Sequence, residues 1–442
     1  MPITHTTTPD STFSAEGRTE WLRAHTLPTA DEITFTPSGT GASSRTAQAK
    51  LRERVTPEDF GAAGDGTTDD TTSLANALAS GAYRLDGAPG ATYLISQRLA
   101  IGSSNMWLAG NGAILKLKDS TVSTLTNGSM LYANQKTDLV IEGWLVDGNK
   151  ANNDINDNFG DGMRIQDCQR VKVRNNRVYN TPRDGISILR QIGGDGNDDI
   201  AVTDNVVTGA GAASQTTGGE GIIVTEGEWI TVTGNTCRGN LLRGVDIETL
   251  STTITNLVVN NNICDGNSNA GISINGATDG TVVGNVCSDN TTHGINLEAG
   301  AGVDAQLTVT GNKCSGSTNG IHVKNYQNCN ITGNVLHTNT TQVLLEGTNT
   351  GTRIRQNTGY VTENSGTATI ASGNTSVVIT HGLSITPTLD DISVIFGEQG
   401  TSDYGRFWIS TITSTQFTIN VSADPGASNL DLAWRAAKVT AL

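Results

Sequence analysis

Acidic side chains stand at spacings in this chain that could serve acid–base chemistry. Asp246 and Glu248 follow Gly244 two residues apart, while Asp184 and Glu220 each stand directly before a glycine, Gly185 and Gly221. Cleavage of a glycosidic bond needs two carboxyl groups, about 5 Å apart for retention of configuration and about 6.5–9.5 Å for inversion. Like charges at that range raise one pKa and leave a general acid at neutral pH. Glu220, Asp246 and Glu248 are therefore the first candidates for acid and base, with Asp184 beside them. Arg243 would hold an acidic sugar, Glu298 would accept from sugar hydroxyls, and Trp229 or Tyr179 would stack on a ring. His293, His322 and Lys324 offer a different chemistry, proton abstraction with charge neutralisation. Carboxylates also solvate any exposed β surface, so these candidates matter only if the fold gathers them.

A repeat is what would gather them. A glycine followed by an apolar–x–apolar pair recurs at Gly162, Gly185, Gly221, Gly244, Gly271, Gly294 and Gly320, in steps of 23, 36, 23, 27, 23 and 26 residues. Between the glycines comes an Asn three residues after Val or Ile: Asn176, Asn205, Asn235, Asn262, Asn285, Asn312, Asn334 and Asn357. Period-2 alternation means strands, and a step near 23 is too short for a propeller blade. One such unit cannot bury its apolar face alone, so neighbours must stack. The expectation is an all-β chain built on a right-handed single-stranded parallel β-helix, its coils about 4.8 Å apart, its asparagines laddered at a turn. Residues one and three after each glycine point inward, and residues two and four point out. Stacking then lines up Asp161, Asp184, Glu220, Arg243, Ala270, His293 and Asn319 in one column and Arg164, Ser187, Ile223, Asp246, Ser273, Asn296 and His322 in another. The 36-residue step holds two expansions, Gly193–Asp199 and Gly209–Gly219, which would wall a groove over residues 184–248.

The flanking segments read differently. Residues 1–54 are rich in Thr, Ser and Pro, with short helical stretches around Glu20–Arg23 and over Arg45–Arg54, and form an attachment arm too polar for its own core. Residues 55–90 carry Gly-rich turns, then Asp69-Asp70 as a helix start and Leu74 and Leu78 on one face of a short capping helix that covers the open end of the solenoid. Residues 91–365 form the β-helix, and 366–442 lose the repeat and read as a small β-sandwich for trimerisation or glycan binding, with Trp408 and Trp434 in its core or on its surface.

The run Val55-Thr-Pro-Glu-Asp-Phe-Gly-Ala-Ala-Gly-Asp-Gly-Thr-Thr-Asp-Asp-Thr71 resembles the opening motif of the pectate-lyase-like superfamily as found in bacteriophage tailspikes, and Phe35–Gly41 and Lys50–Glu53 are similar to the sequence that precedes it there. The motif holds no catalytic residue. The resemblance implies a homotrimeric virion protein, made in the bacterial cytoplasm and acting at the host cell surface, that binds and often cleaves host surface polysaccharide, capsule or O-antigen. Its arm would meet other phage tail or baseplate proteins. His293-Gly294 is similar to the His-Gly of polygalacturonases, but that family's Asn-x-Asp, paired Asp and Arg-x-Lys are not reproduced in order: Asp198-Asp199 sits in a loop and Arg353-Ile354-Arg355 lacks the lysine.

Composition narrows the alternatives. With Lys and Arg numbering 28 against 43 Asp and Glu, the net charge of −15 disfavours nucleic acid and anionic membranes. No apolar run reaches a membrane span, and Met1-Pro2-Ile3-Thr4-His5 lacks the basic and apolar regions of a signal peptide. Cys237, Cys264, Cys287 and Cys314 share one inward column at coil spacing without a CxxC pair, which predicts reduced core thiols rather than a metal site. The reading that follows is a tailspike depolymerase acting by paired carboxylates without a cofactor. A non-catalytic receptor-binding fibre, a lyase using histidine with Lys324 and calcium, and a purely structural connector are the alternatives.

Overall fold

The computed structural model describes residues 28–121, 128–153, 160–191, 193–213, 217–249, 254–299, 306–397 and 403–438. Successive coils give one strand each to three parallel sheets of ten, thirteen and eleven strands. The ten-stranded sheet carries the glycine anchors. Its register aligns Met163, Ile186, Ile222, Val245, Ile272, Ile295, Ile321 and Val343 in one inward row. The anchors therefore pile along one axis, as the repeat predicts, and a continuous apolar core runs the length of the solenoid. Each buried Ile or Val side chain in it contributes about 1.5–3 kcal/mol.

The glycine and cysteine columns turn out to be partners. A Cβ built on Gly221, Gly244, Gly271 or Gly294 would lie 3.2, 3.0, 3.0 and 2.7 Å from the Cβ of Cys237, Cys264, Cys287 and Cys314, and also against the next coil's carbonyl. The glycine exists because the core is closed there; Val178 and Val207 stand in the same place opposite Gly162 and Gly185. The cysteines stack in register, all free and buried.

The asparagine column forms the ladder expected. From Asn176 to Asn357 each side-chain N–H donates to the next Oδ1 at 2.9–3.0 Å, seven rungs in all. The same Oδ1 also accepts that neighbour's backbone N–H, and the remaining amide hydrogen goes to a carbonyl such as that of Val232 for Asn262. A shorter second ladder, Asn240 to Asn267 to Asn290, lies in the turns before the glycines and is not part of the sequence expectation.

The N-terminal end is closed by a helix as anticipated, with one difference. Helix Thr71–Leu78 buries Leu74 and Leu78 against the first coils. Asp70, expected to cap it, makes no side-chain cap. Its buried carboxylate instead accepts from the backbone N–H groups of Ala63 and Gly64 at 2.7 and 3.1 Å, tying down the Gly-rich turn. The helix within 45–54 is a single turn and a half, Ala47–Leu51, with Leu51 exposed. The stretch around Glu20–Arg23 lies outside the described residues. At the other end two three-stranded antiparallel sheets pack into a small β domain with its own core. Trp434 belongs to that core, edge-on to Phe417 at 5.8 Å, whereas Trp408 is half exposed.

Asn262→Ala should destabilise the chain by about 2–4 kcal/mol, because it strands two buried donors of Asn235. Cys264→Ala in the next column should cost only about 1 kcal/mol of lost packing. Urea or thermal unfolding of the two variants side by side checks this, and equal costs would remove the ladder as the stronger constraint.

Candidate active site

The outer face of the ten-stranded sheet holds the site. Strands Asp161–Gln166, Ile186–Leu189, Ile222–Thr225 and Val245–Glu248 are parallel neighbours. The residue before each glycine and the residue two after it project from this face because the one and three positions are taken by the core. The face was expected to be exposed. It is polar but largely closed to solvent: Asp161, Asp184, Ser187, Glu220, Asp246 and Ser273 are all buried. Each acid pairs with a cation of its own coil or of the next: Arg164 and Arg243 with Asp161 and Asp246 of their own coils, Arg183 and Arg243 with Asp161 and Glu220 of the adjacent ones.

The result is a chain of alternating charge along the axis. Arg164 grips Asp161 with Nε and Nη2 at 2.8 and 2.6 Å, and Ser187 Oγ adds a donor at 3.0 Å. Arg183 Nη1 lies 3.2 Å from both Asp161 Oδ1 and Asp184 Oδ2. Asp184 Oδ1 accepts from the backbone N–H groups of Gly219 and Glu220 at 2.7 and 3.1 Å, so the end of the second expansion wraps directly onto it. Arg243 Nη1 reaches Glu220 Oε1 at 3.3 Å and Asp246 Oδ2 at 2.9 Å. Those two oxygens, held on one nitrogen, are no more than about 6.2 Å apart.

Three guanidinium groups thus face four carboxyl groups, and the surplus acid falls where Asp184 meets Glu220. The two carboxyls are brought together by the backbone: the Glu220 N–H itself donates to Asp184. Asp184 Oδ2 and Glu220 Oε2 both lack a hydrogen-bond partner. A proton on Glu220 would balance the charge, since Asp184 Oδ2 already faces Arg183 and Glu220 Oε2 faces no cation among the described residues. Burial first, then the charge of Asp184, pushes the Glu220 carboxyl up, to about 9. Burial also raises Asp246, to about 6, with Arg243 opposing and Glu248 adding to the rise. Burial works against the charge of Arg183, but Asp161, Asp184 and Glu220 outweigh it and hold its pKa above the usual range. The pair so formed is a neutral carboxylic acid beside a carboxylate that ionises near pH 6, the division of labour acid–base catalysis requires.

The remaining candidates fall in three places. Glu248 shares the strand of Asp246 and is half-buried at the rim. Glu298 and His293 lie on the same sheet two coils further on. Glu298 accepts from Lys324 Nζ at 2.5 Å. His293 stacks on His322 at 4.8 Å, and its Nδ1 faces Asn319 Nδ2 at 3.2 Å. Burial and the neighbouring His322 lower His293 to about 4, so it is neutral. His322 has both ring nitrogens engaged, Nδ1 with Asn296 Oδ1 at 2.7 Å and Nε2 with Glu346 Oε2 at 3.1 Å. Tyr179 and Trp229 are not at the site: Tyr179 is on the eleven-stranded sheet beside Arg177, and Trp229 on the thirteen-stranded sheet. Among the described residues no group of three or more His, Cys, Asp or Glu side chains is arranged to hold a metal ion.

Sequence reasoning placed Asp161 and Arg164 in the columns without assigning them a part, and it missed Arg183. That residue sits in an irregular turn after Pro182, outside the repeat, and only its position between two aspartates reveals it. The first expansion is pinned by Asp167, which accepts from Gln191 and Gly196 N–H groups, and by Arg190, which donates to Gly194 O and Glu226. It leaves the strand on the side opposite to the second expansion, so the two do flank the lane between Asp184 and Glu220.

The fold is that of right-handed parallel β-helix proteins. The sequence profile of the right-handed beta helix region matches residues 220–383. Among solved structures, the ORF18 protein of Geobacillus virus E2 is 14% identical, with 96% of this chain and 90% of that chain covered at a TM-score of 0.58. The A-module of a mannuronan C-5 epimerase from Azotobacter vinelandii is 19% identical, with 69% of this chain and 91% of that chain covered at a TM-score of 0.54. No curated protein sequence matches the chain.

The proton on Glu220 has a thermodynamic signature. Its folded pKa lies above the ordinary value of 4.5, so the stability it contributes is complete below about pH 4.5 and is lost as pH rises towards 9. Thermal midpoints should fall between about pH 6.5 and 9, above the window of Asp246. Glu220→Gln, which cannot ionise, should flatten that slope. An unchanged slope would show that Glu220 is already ionised.

Proposed function

We propose that this chain is a phage tailspike that binds host surface polysaccharide and cleaves it internally by glycoside hydrolysis. The observation that carries the reading is the buried Glu220, its carboxyl pushed up by burial and by Asp184, joined to Asp246 through one nitrogen of Arg243. The same fold serves an enzyme acting on mannuronan and a virus protein, but the assignment rests on the site. Arg243, 31% exposed, covers two acids that are each 3% exposed, and it swings aside as a sugar chain settles along the face. Glu220 then gives its proton to the leaving glycosidic oxygen while Asp246 attacks the anomeric carbon. A water molecule releases the glycosyl ester, returning its proton to Glu220. Both acids reach one nitrogen, which suits the close approach of a retaining pair. Glu248 keeps Asp246 basic, and Asp184 keeps Glu220 protonated.

Arg243 donates to both acids before substrate arrives. Once it swings aside, its guanidinium is free to pair with an acidic sugar of the bound polymer. Glu298, Lys324 and the histidine stack would line further subsites along the same face. The reading also carries a homotrimer, an arm bound to tail or baseplate proteins, and a place on the virion.

One observation favours a second reading. Acids this deeply buried also suit a receptor-binding fibre in which they only brace the wall. A lyase is less well supported, since the ring nitrogens of His322 and the ammonium of Lys324 are already engaged.

Reducing-end release from purified capsule and O-antigen polysaccharides separates these. Hydrolysis should give a bell-shaped pH profile with limbs near 6 and 9, from Asp246 and Glu220. Glu220→Gln and Asp246→Asn should each lower the rate by about 100-fold or more. Binding with no shortening selects the fibre, and a product absorbing in the ultraviolet selects the lyase.

A further inference from the structure

Trp229 has no part in the site described above. Its ring is 60% exposed on the thirteen-stranded sheet. Its backbone adopts φ +53°, a left-handed conformation that bulky residues rarely hold and that costs about 1–3 kcal/mol. The neighbouring coils repeat this kink at Asp138, Arg170, Asp199 and Asn256. The kink thus belongs to this corner of every such coil, and at Trp229 it carries a large apolar side chain that remains exposed.

The surface beside the ring is unusual for so acidic a chain. The outward row next to it reads Ala201, Thr231, Val258, Thr281 and Thr308 in register. It is a flat shelf of small, uncharged side chains, several with hydroxyl groups. Trp229 stands at its edge, and Asp199, Asn256 and Asp279 border the same shallow pocket with Thr231 and Thr281. Four coils span about 14 Å, the length of a few linked sugar rings. An aromatic wall, a flat hydroxyl-bearing floor and a rim of carboxylate and amide acceptors suit a pyranose, which has one apolar C–H face and an edge of hydroxyl donors.

We propose that Trp229, with Asp199, Asn256 and Asp279, forms a second glycan-binding site, separate from the acid cluster and without catalytic function. The indole stacks on the C–H face of an uncharged sugar ring, and the three acceptors take its hydroxyls. It would keep the polymer tethered between cleavage events, or hold it where no cleavage occurs.

The test is binding of the full chain to an array of purified bacterial capsule and O-antigen oligosaccharides, with wild type, Trp229→Ala and Glu220→Gln compared. Trp229→Ala should weaken binding to at least one uncharged glycan about tenfold, while Glu220→Gln leaves that binding intact. Circular dichroism and sedimentation should be unchanged in Trp229→Ala. Equal binding by Trp229→Ala, no binding of any glycan by wild type, or a smaller assembly in Trp229→Ala would each overturn the proposal, the last by showing that the ring meets a second copy of the chain. No cleavage by wild type, with Trp229-dependent binding present, would overturn only the hydrolase reading.

Discussion

Everything in this solenoid depends on coils being held at one fixed spacing in one fixed register. The Asn176–Asn357 ladder does this most directly. It satisfies buried backbone N–H groups at the same corner of every coil, and a coil slipped by one residue would leave them without acceptors. The glycine–cysteine contacts do the same from the core side. Only a residue without a Cβ fits where the wall crosses the thiol column. Packing and hydrogen bonding therefore impose one register by independent means.

That spacing also explains the electrostatics of the outer face. Side chains one coil apart cannot separate, so a column of acids must be interleaved with cations or must bind protons. Arg164, Arg183 and Arg243 supply the cations, and the place where they run short is the Asp184–Glu220 contact. The raised pKa of Glu220 is thus a product of the architecture: a rigid, water-poor wall with one more acid than base. Such a group is costly to keep unless its proton is used.

The architecture was legible because a repeat states the same structural rule many times over. The glycine, asparagine and cysteine columns, the inward rows and the capping helix follow from spacing and alternation alone. The acid cluster was half legible. Register placed Asp184, Glu220, Arg243 and Asp246 together, but the burial of the face depends on how side chains fold across coils. Arg183 depends on an irregular turn that no period predicts. Trp229 and Tyr179 were misplaced for a simpler reason. Nearness along the chain says little in a coil whose consecutive strands face three different directions, and both residues lie a corner away from the acids they neighbour in sequence.

The uneven coil steps carry a consequence for how such a protein can change. The stretch Gly185–Gly221 absorbs thirteen residues more than the shortest coils, yet its strands keep the common alignment with those above and below. Corners of the cylinder accept added length and the walls do not. A lineage under pressure to recognise a new surface can thus lengthen, shorten or exchange these corner segments freely, leaving the inherited scaffold and its acid wall untouched.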